Sequence, residues 1–376
     1  MSGLVKILGA MSALQPQPPT EHYDGLEYRW KALTFRPAEF KLEGAIFGVL
    51  ALYLIWYLVG KSYNLKRAKA AMRPYDDLLK TNFAATRPLV HSGPSQHLSY
   101  STGRRNVLSL HGTLKLFPFH DIAGILTNLV KPIIEPTADV SEGLVWSLTL
   151  GRGDAGLQGE GAGVWAVVNK TDLRAVKEKR WDLTFPRLQE NVAVPFTHSL
   201  FTEHSDVNDL VLKTPNVGVT DLLANQTAAS VLKYLLITDQ PAGRPAKGAL
   251  PAKFRARSII LSVRNPSTPA ETDAVKAWLQ VALNLADLIS KPNALKPEVT
   301  RKLAATRKTV DAELGQAYAK ELAEDQPAEM TPEEKRLAKK KAERANMSEK
   351  ELKRLDELEK KRELRKLQKK GGFKQQ

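Results

Sequence analysis

Hydrophobic positions form one uninterrupted run near the start of the chain, whereas elsewhere they are interspersed with polar residues. The run extends from residue 44 to residue 60, contains 17 residues without a charge, and is bounded by Glu43 and Lys61. At about 1.5 Å of rise per residue, a helix over this run and its flanks nearly spans a hydrocarbon core of about 30 Å. The run therefore predicts a transmembrane helix over residues 44–60. The alternative is a buried helix of a soluble domain.

Aromatic residues near one end of the run favour the membrane interpretation. Tyr and Trp are enriched where a membrane-spanning helix meets the headgroup region, and a core helix of a soluble protein has no need of them there. The predicted membrane-anchor residues are Gly44, Leu50, Tyr53, Trp56, Tyr57 and Gly60.

Basic residues on the two flanks of the run predict its orientation. Six Lys and Arg residues follow the run, up to Lys80, and four precede it, starting at Arg29. Because basic residues favour the cytosolic side of a membrane, residues 1–43 are predicted to be a short lumenal segment and the C-terminal region is predicted to be cytosolic. Residues 61–81 are predicted to form a basic juxtamembrane helix, with a break at Pro74.

Over residues 82–290, the patterns typical of strands and of helices do not alternate regularly as they would in βαβ units. This predicts an α+β cytosolic domain. The predicted strands are residues 107–117, 144–150, 164–168, 234–238 and 258–263. The predicted helices are residues 122–130, 172–179, 220–233 and 268–290. No strand order follows from these patterns.

The C-terminal part of the chain consists largely of Ala, Glu, Lys, Arg and Leu, which favour helices. Residues 291–330 are predicted to form a helical connector, and the sequence Thr331-Pro332-Glu333-Glu334 is typical of a helix start. Residues 331–376 hold 17 basic and 9 acidic side chains, so this segment carries +8 of the formal net charge of +15. A long charged C-terminal helical arm is therefore predicted.

The basic side chains of the arm are the candidate contacts to RNA. On a helix they would project along a rod of roughly 50 to 60 Å, and each phosphate that they neutralise would release counterions. The candidate residues are Lys339, Lys340, Lys341, Arg344, Lys353, Arg354, Lys360, Lys361, Arg362, Arg365, Lys366, Lys369 and Lys370. The open alternatives are a solvated charged helix, a lipid-binding arm and a coiled coil, although the leucines of the arm do not keep a seven-residue register.

Two further patterns suggest chemistry, and neither fits a known type of site. Residues 151–156 read GxGxxG after a predicted strand, but more glycines follow in place of a helix start, which favours a β-hairpin connection over a dinucleotide site. The side chains of His198, Glu203, His204, Asp206 and Asp209 are potential ligands at a spacing that matches no metal site. The chain has no cysteine and no hydrolase, kinase or P-loop motif. The sequence therefore predicts a binding scaffold without catalytic residues, cofactor or metal, and not an enzyme.

Seven segments carry a resemblance by their order and spacing. They are residues 101–104, 107–116, 120–132, 165–167, 234–240, 257–263 and 301–320. Together with the apolar run before them and the basic tail after them, they resemble the calumin family, the coiled-coil-domain subunits of the PAT complex. The resemblance covers residues 44–370, and it rests on the order of the segments, since no single motif in it is specific.

This resemblance implies a single-pass endoplasmic reticulum membrane protein whose arm reaches ribosomal RNA near the exit tunnel. The implied partners are the ribosome, a small multi-span protein similar to Asterix, the Sec translocon, and nascent multi-pass membrane proteins whose insertion and folding the complex assists. Such assistance meets a physical need, because unpaired polar groups in hydrocarbon are costly until neighbouring helices arrive.

The family is also linked to calcium handling through a long acidic lumenal segment, and this sequence departs from that pattern. Residues 1–43 contain five acidic and five basic side chains. Because hard cations need several converging oxygens, calcium buffering by this segment is not expected. The alternative function that stays open is an endoplasmic reticulum calcium-homeostasis or membrane-tethering protein with a lipid-binding basic tail.

Overall fold

The structure is a computed structural model that describes residues 25–30, 33–37, 40–135, 138, 140–152, 156–157, 161–190, 193–251, 254–291 and 293–325. In the C-terminal arm it describes residues 339, 354, 357–358, 360–362 and 365. The chain forms two compact units. One comprises Met1–Arg244 and Pro251–Ala304, and the other comprises Pro245–Leu250 and Ala305–Gln376.

A single long helix, α1, comprises Lys41–Met72 and contains both the apolar run and the basic residues that follow it. No proline interrupts the chain between Lys61 and Met72, so the backbone hydrogen bonds of the helix continue beyond the apolar run. Pro74, which lacks an N–H donor, lies in a 3₁₀ turn over Arg73–Tyr75. A short helix, α2, then covers Asp76–Asn82.

The first unit is built around one large antiparallel sheet. Its strands are β3 (Ala85–His91), β4 (Gln96–Thr102), β5 (Val107–Lys115), β6 (Gly143–Arg152), β7 (Gly156–Leu157), β8 (Trp165–Asn169), β9 (Arg187–Gln189), β10 (His198–Thr202), β11 (Leu232–Thr238) and β12 (Ser258–Arg264). Their order is β3-β4-β5-β6-β12-β11-β8-β10-β9, and β7 pairs with β6. A separate hairpin of β1 (Tyr28–Trp30) and β2 (Leu33–Phe35) precedes α1.

Alternate residues of the central strands face two hydrophobic clusters, as the period of two in a strand requires. On β8, Trp165 and Val167 belong to the larger cluster, whereas Ala166 and Val168 belong to the smaller one. The strand is therefore buried on both faces. This explains why it is a continuous apolar run in the sequence instead of an alternating pattern.

Helices lie between and after the strands in chain order, and the last of them continues from the first unit into the second. They are α3 (Ile122–Ile134), α4 (Leu173–Lys179), α5 (Ser205–Lys213), α6 (Val219–Ala224), α7 (Gln226–Val231), α8 (Pro269–Ile289) and α9 (Pro297–Asp325). The helix with the largest number of buried residues is α8, which starts with a capping box between Thr268 and Glu271. Its residue Trp278 is fully buried and donates a hydrogen bond from Nε1 to the carbonyl oxygen of Ala228 at 2.8 Å.

The prediction of a mixed helix-and-sheet architecture with one long apolar helix near the start is confirmed. The prediction of one helix over residues 220–233 is wrong. Asn225 has an extended backbone and its side chain caps α7, so the segment forms two short helices. Leu232 and Lys233 already belong to β11.

Candidate membrane-anchor site

The apolar part of α1 lies outside the protein core. The most apolar stretch of the helix has no residue buried within the chain, and Leu50, Tyr53 and Trp56 are exposed. An added Cβ at Gly44 would meet no other atom within 4 Å. So large an exposed apolar surface is unfavourable in water, whereas a lipid environment would satisfy it. A buried core helix, the alternative left open by the sequence, does not fit this exposure.

The globular part of the first unit packs closely on α1 at the end of the apolar run. An added Cβ on Gly60 would lie 2.5 Å from Cα of His120 and 2.6 Å from the carbonyl oxygen of Phe119, distances that no real side chain tolerates. One turn earlier, the ring of Tyr57 meets the ring of His120 edge-on with 5.6 Å between centroids. Glycine at position 60 therefore allows the loop before α3 to approach the helix backbone directly.

One helical turn further on, the same loop forms polar and aromatic contacts with α1. Asn64 is fully buried, and its Nδ2 donates a hydrogen bond to the carbonyl oxygen of Phe117 at 2.9 Å. The rings of Tyr63 and Phe119 pack edge-on at 5.5 Å. Gly60 and Asn64 are four residues apart and therefore lie on one face of the helix.

An ion pair completes this contact at the third turn. The guanidinium of Arg67 donates two hydrogen bonds to the carboxylate of Glu142, at 2.7 and 2.8 Å. The same carboxylate also accepts hydrogen bonds from the backbone N–H of Phe117 and from Nδ2 of Asn265, each at 3.0 Å. Glu142 thus connects α1, the docking loop at residues 117–121 and the segment after β12.

The environment of Glu142 stabilises its ionised form. Burial is the largest single influence and acts to raise the pKa of its carboxyl group. The hydrogen bonds from Arg67, Phe117 and Asn265 act in the opposite direction, and together with the charge of Arg67 they outweigh it, so the pKa of Glu142 lies below its ordinary value. The carboxyl group is therefore charged at neutral pH, as the bidentate contact requires.

The docking loop also reaches the apolar run itself. Asp121 caps the start of α3, where its Oδ1 accepts the backbone N–H of Ala123 at 3.0 Å. The hydroxyl group of Tyr53 donates a hydrogen bond to the same oxygen at 3.4 Å. The predicted anchor residues Tyr53, Tyr57 and Gly60 therefore contact the globular part, a role that the sequence did not indicate.

Comparison with known proteins identifies the family. The family model described as PAT complex subunit CCDC47 matches residues 39–366. The chain belongs to this family. A relative from Schizosaccharomyces pombe, named UPF0674 endoplasmic reticulum membrane protein C2G5.01, is 27% identical over an alignment of 353 residues. The alignment covers 88% of this chain and 87% of the relative. The resemblance recognised in the sequence is thereby confirmed.

The CCDC47 family match begins two residues before α1 and ends one residue after Arg365, so it includes the span, the globular part and most of the arm. The family description names a subunit of a complex and no enzymatic activity. Residues 1–38 lie outside the match.

In this CCDC47 family member, part of the predicted RNA-binding set lies among the described residues. Lys339, Arg354, Lys360, Lys361, Arg362 and Arg365 are helical and exposed. Lys340, Lys341, Arg344, Lys353, Lys366, Lys369 and Lys370 lie outside the described residues. The role of these side chains stays a prediction.

The two patterns that suggested chemistry have structural roles in this family member. The glycine-rich sequence after β6 leads into β7, and Gly151 pairs with Leu157 in an antiparallel hairpin, as predicted. Glu203 accepts the backbone N–H of Val164 at 3.0 Å, and His204 caps α5. Within the part of the chain that the structure describes, no group of three or more metal-ligating side chains converges.

Proposed function

We propose that this protein is an endoplasmic reticulum membrane scaffold within a translocon-associated complex, which binds the ribosome and assists the insertion and folding of multi-pass membrane proteins. The observation that carries the proposal is the clamp of the docking loop on α1, in a chain that belongs to the PAT complex subunit family. A flexible tether would leave the globular domain free, whereas this clamp holds it beside the membrane span.

The clamp supports a scaffold function because three successive turns of α1 contribute to it. Gly60 provides close packing, Asn64 a buried hydrogen bond, and Arg67 a bidentate ion pair. A contact that combines these three interactions fixes both the height and the rotation of the domain relative to the span. A scaffold needs this property, because partners in the membrane and partners at the ribosome must be held in one geometry.

The proposed orientation places residues 1–43 in the lumen and the α+β domain, residues 82–290, in the cytosol. The span at 44–60, the helical connector at 291–330 and the arm at 331–376 keep the boundaries predicted from the sequence. The basic segment at 61–81 is divided between the end of α1, a 3₁₀ turn and α2. In this orientation the basic arm is on the side of the membrane where ribosomes translate.

The arm is proposed to bind ribosomal RNA near the exit tunnel. Its described basic residues are exposed on helical backbone, which leaves their charges available to phosphate groups. Contacts of this kind position a protein without selecting a base sequence, and they weaken steeply with salt. The proposed membrane partners are an Asterix-like multi-span protein, the Sec translocon, and nascent chains whose spans expose polar groups.

Co-sedimentation with translating ribosomes tests the proposal. Detergent-solubilised full-length protein is compared with a truncation after Gln326 across a series of salt concentrations. We expect full-length protein to sediment with ribosomes at low salt and to dissociate as salt rises, and we expect the truncated protein to remain in the supernatant. Equal sedimentation of both proteins, or of neither, would overturn ribosome binding by the arm and favour the lipid-tethering alternative.

A further inference from the structure

Helix α3 presents its apolar side away from the protein. Gly124, Ile125 and Asn128 are half-buried and lie on one side of the helix at 100° per residue. The exposed large apolar residues of α3 are Ile122, Leu126, Leu129, Val130, Ile133 and Ile134. This arrangement is the reverse of a helix that packs on a core, whose apolar stripe faces inward.

The exposed face of α3 is also free of charge. Lys131 is the only charged residue within the helix, and it lies about 160° around the axis from Ile133. The side chain of Ile133 is 81% exposed, and those of Leu126 and Leu129 are each 62% exposed. Isolated exposed leucines are ordinary, but a contiguous apolar face of this kind marks a surface that something else covers.

The contacts between α1 and the residues before α3 show where along the span α3 begins. The capping residue of α3, Asp121, contacts the hydroxyl group of Tyr53, and His120 packs on Tyr57 and Gly60. Tyr53 lies seven residues inside the end of the apolar run, which corresponds to about 10 Å along the helix. The start of α3 is therefore held at the depth of the span and not above the membrane.

We propose that α3 is an interfacial membrane helix, whose face formed by Ile122, Leu126, Leu129 and Ile133 inserts between the lipids of the leaflet next to the globular unit. A helix of this type lies at the boundary of headgroups and acyl chains, with its apolar face inward and its polar face toward water. Lipid is the occupant that the geometry favours, because the cap of α3 contacts Tyr53 within the apolar run of α1 and the face carries no hydrogen-bonding group.

This inference goes beyond the scaffold function and depends only on α1 spanning a membrane. It holds in either orientation and does not require ribosome binding. With α3 in the leaflet, the protein meets the membrane at two places, a perpendicular span and a surface helix.

Spin labelling of the full-length chain tests the proposal. Because the sequence contains no cysteine, single cysteines can be introduced without removing a native thiol. The test positions are Leu129→Cys and Ile133→Cys on the apolar face, and the matched controls are Thr127→Cys and Lys131→Cys, exposed positions on the opposite side of the helix. Each labelled protein is reconstituted into phosphatidylcholine nanodiscs, without any partner protein.

The measured quantity is the collision rate of each nitroxide with oxygen, which concentrates in lipid, relative to a water-soluble nickel chelate. We expect labels at positions 129 and 133 to shift to lipid-like accessibility, and labels at positions 127 and 131 to remain water-like. The same measurement in the same nanodiscs on labelled Lys308→Cys, exposed on α9, sets the water reference.

Water-like accessibility at positions 129 and 133 in the nanodisc would overturn the proposal and would indicate that a protein partner covers the face instead. Lipid-like accessibility at all four positions would also overturn it, because a helix fully immersed in hydrocarbon is not interfacial. Near-ultraviolet circular dichroism equal to that of the native chain verifies that each variant is folded. Equal sedimentation of the full-length and truncated proteins with ribosomes would overturn ribosome binding by the arm and leave this result unaffected, so the two proposals fail independently.

Discussion

Arg67 and Glu142 join the membrane helix to the globular part through a bidentate ion pair with N–O distances of 2.7 and 2.8 Å. Their side chains are only 30% and 22% exposed, so solvent screens the pair less than it screens a surface pair. The carboxylate also accepts two further hydrogen bonds. The pair is therefore the polar centre of the docking contact.

Removing the Arg67 side chain should destabilise this contact. We expect Arg67→Met to lower the free energy of unfolding by about 1–3 kcal/mol, because Glu142 is left with an uncompensated, partly buried charge. Denaturant unfolding of the detergent-solubilised chain measures the change. The control is Lys131→Met, which removes an exposed i,i+4 pair with Glu135 and should cost less than about 0.5 kcal/mol. Equal effects of the two substitutions would show that the Arg67 pair does not stabilise the fold.

The contact should also weaken in acid. Because the pKa of Glu142 is lower in the folded protein than its ordinary value of 4.5, its contribution to stability is fully present above pH 4.5. The contribution is lost as pH falls through the lower folded-state pKa. Glu142→Gln should flatten this part of the pH–stability curve relative to the native chain, in unfolding measurements between about pH 3 and pH 6. Parallel curves for the two proteins would contradict the assignment.

Gly60 should be far less tolerant of substitution than Gly48 in the same helix. Gly60→Ala places a Cβ 2.5 Å from His120, whereas the same change at Gly48 meets nothing within 4 Å. We expect Gly60→Ala to cost about 1–3 kcal/mol through displacement of the docking loop, and to expose residues 117–121 to protease. Gly48→Ala should leave the digestion pattern unchanged. An unchanged pattern for both variants would rule out close packing at Gly60.

Three exposed basic residues of the arm should account for a measurable part of the salt dependence of ribosome binding. The triple variant Lys360→Gln, Lys361→Gln and Arg362→Gln removes three potential phosphate contacts. The magnitude of the slope of log affinity against log salt should then fall by about 2–3. The matched control neutralises Arg174, Lys179 and Lys308, which are exposed on helices outside the arm, and should keep the slope. Equal slopes in both variants would exclude these arm residues as RNA contacts.

The proposed orientation can be tested with the acceptor sequon at Asn225. Asn225 is exposed, whereas Asn169, in another sequon, is 7% exposed and less accessible in the folded domain. We expect Asn225 to remain unmodified when the protein is made in endoplasmic reticulum microsomes. The positive control is Ala10→Asn, which creates a new acceptor sequon together with Met11 and Ser12 in the proposed lumenal segment and should gain one glycan. A glycan on Asn225, detected as an endoglycosidase-sensitive mass shift, would reverse the topology.

The segments that were predicted best from the sequence have their own hydrophobic pattern or their own signal for where the element begins. The start of α1, the buried strands β8 and β12, and the capped helix α8 were all predicted within three residues of their observed positions. The residues of each segment are enough to predict it, because they form a hydrophobic run or begin with a Thr-Pro-x-Glu helix start. By contrast, β4 alternates buried residues such as His97 and Ser101 with more exposed ones. Because the residues of β4 that face the core are polar, no hydrophobic pattern in the sequence predicted this strand.

The docking contact was not predictable from the sequence for a different reason. Arg67 and Glu142 are 75 residues apart, and nothing local distinguishes this pair from the other charged residues of the chain. Gly60 appeared as the end of an apolar run, because its close approach to His120 depends on the path of a distant loop. The apolar face of α3 was visible as a helix pattern, but which side of the helix faces the protein is decided only by tertiary packing.

The unbroken course of α1 from Lys41 to Met72 has a mechanical consequence. The helix continues for twelve residues beyond Gly60, about 18 Å, and is clamped to the domain along that length. A helix that tilts to fit a thinner bilayer would carry the clamped domain with it through the same angle. The protein would then convert local membrane thickness into a displacement of its globular unit, as a lever does.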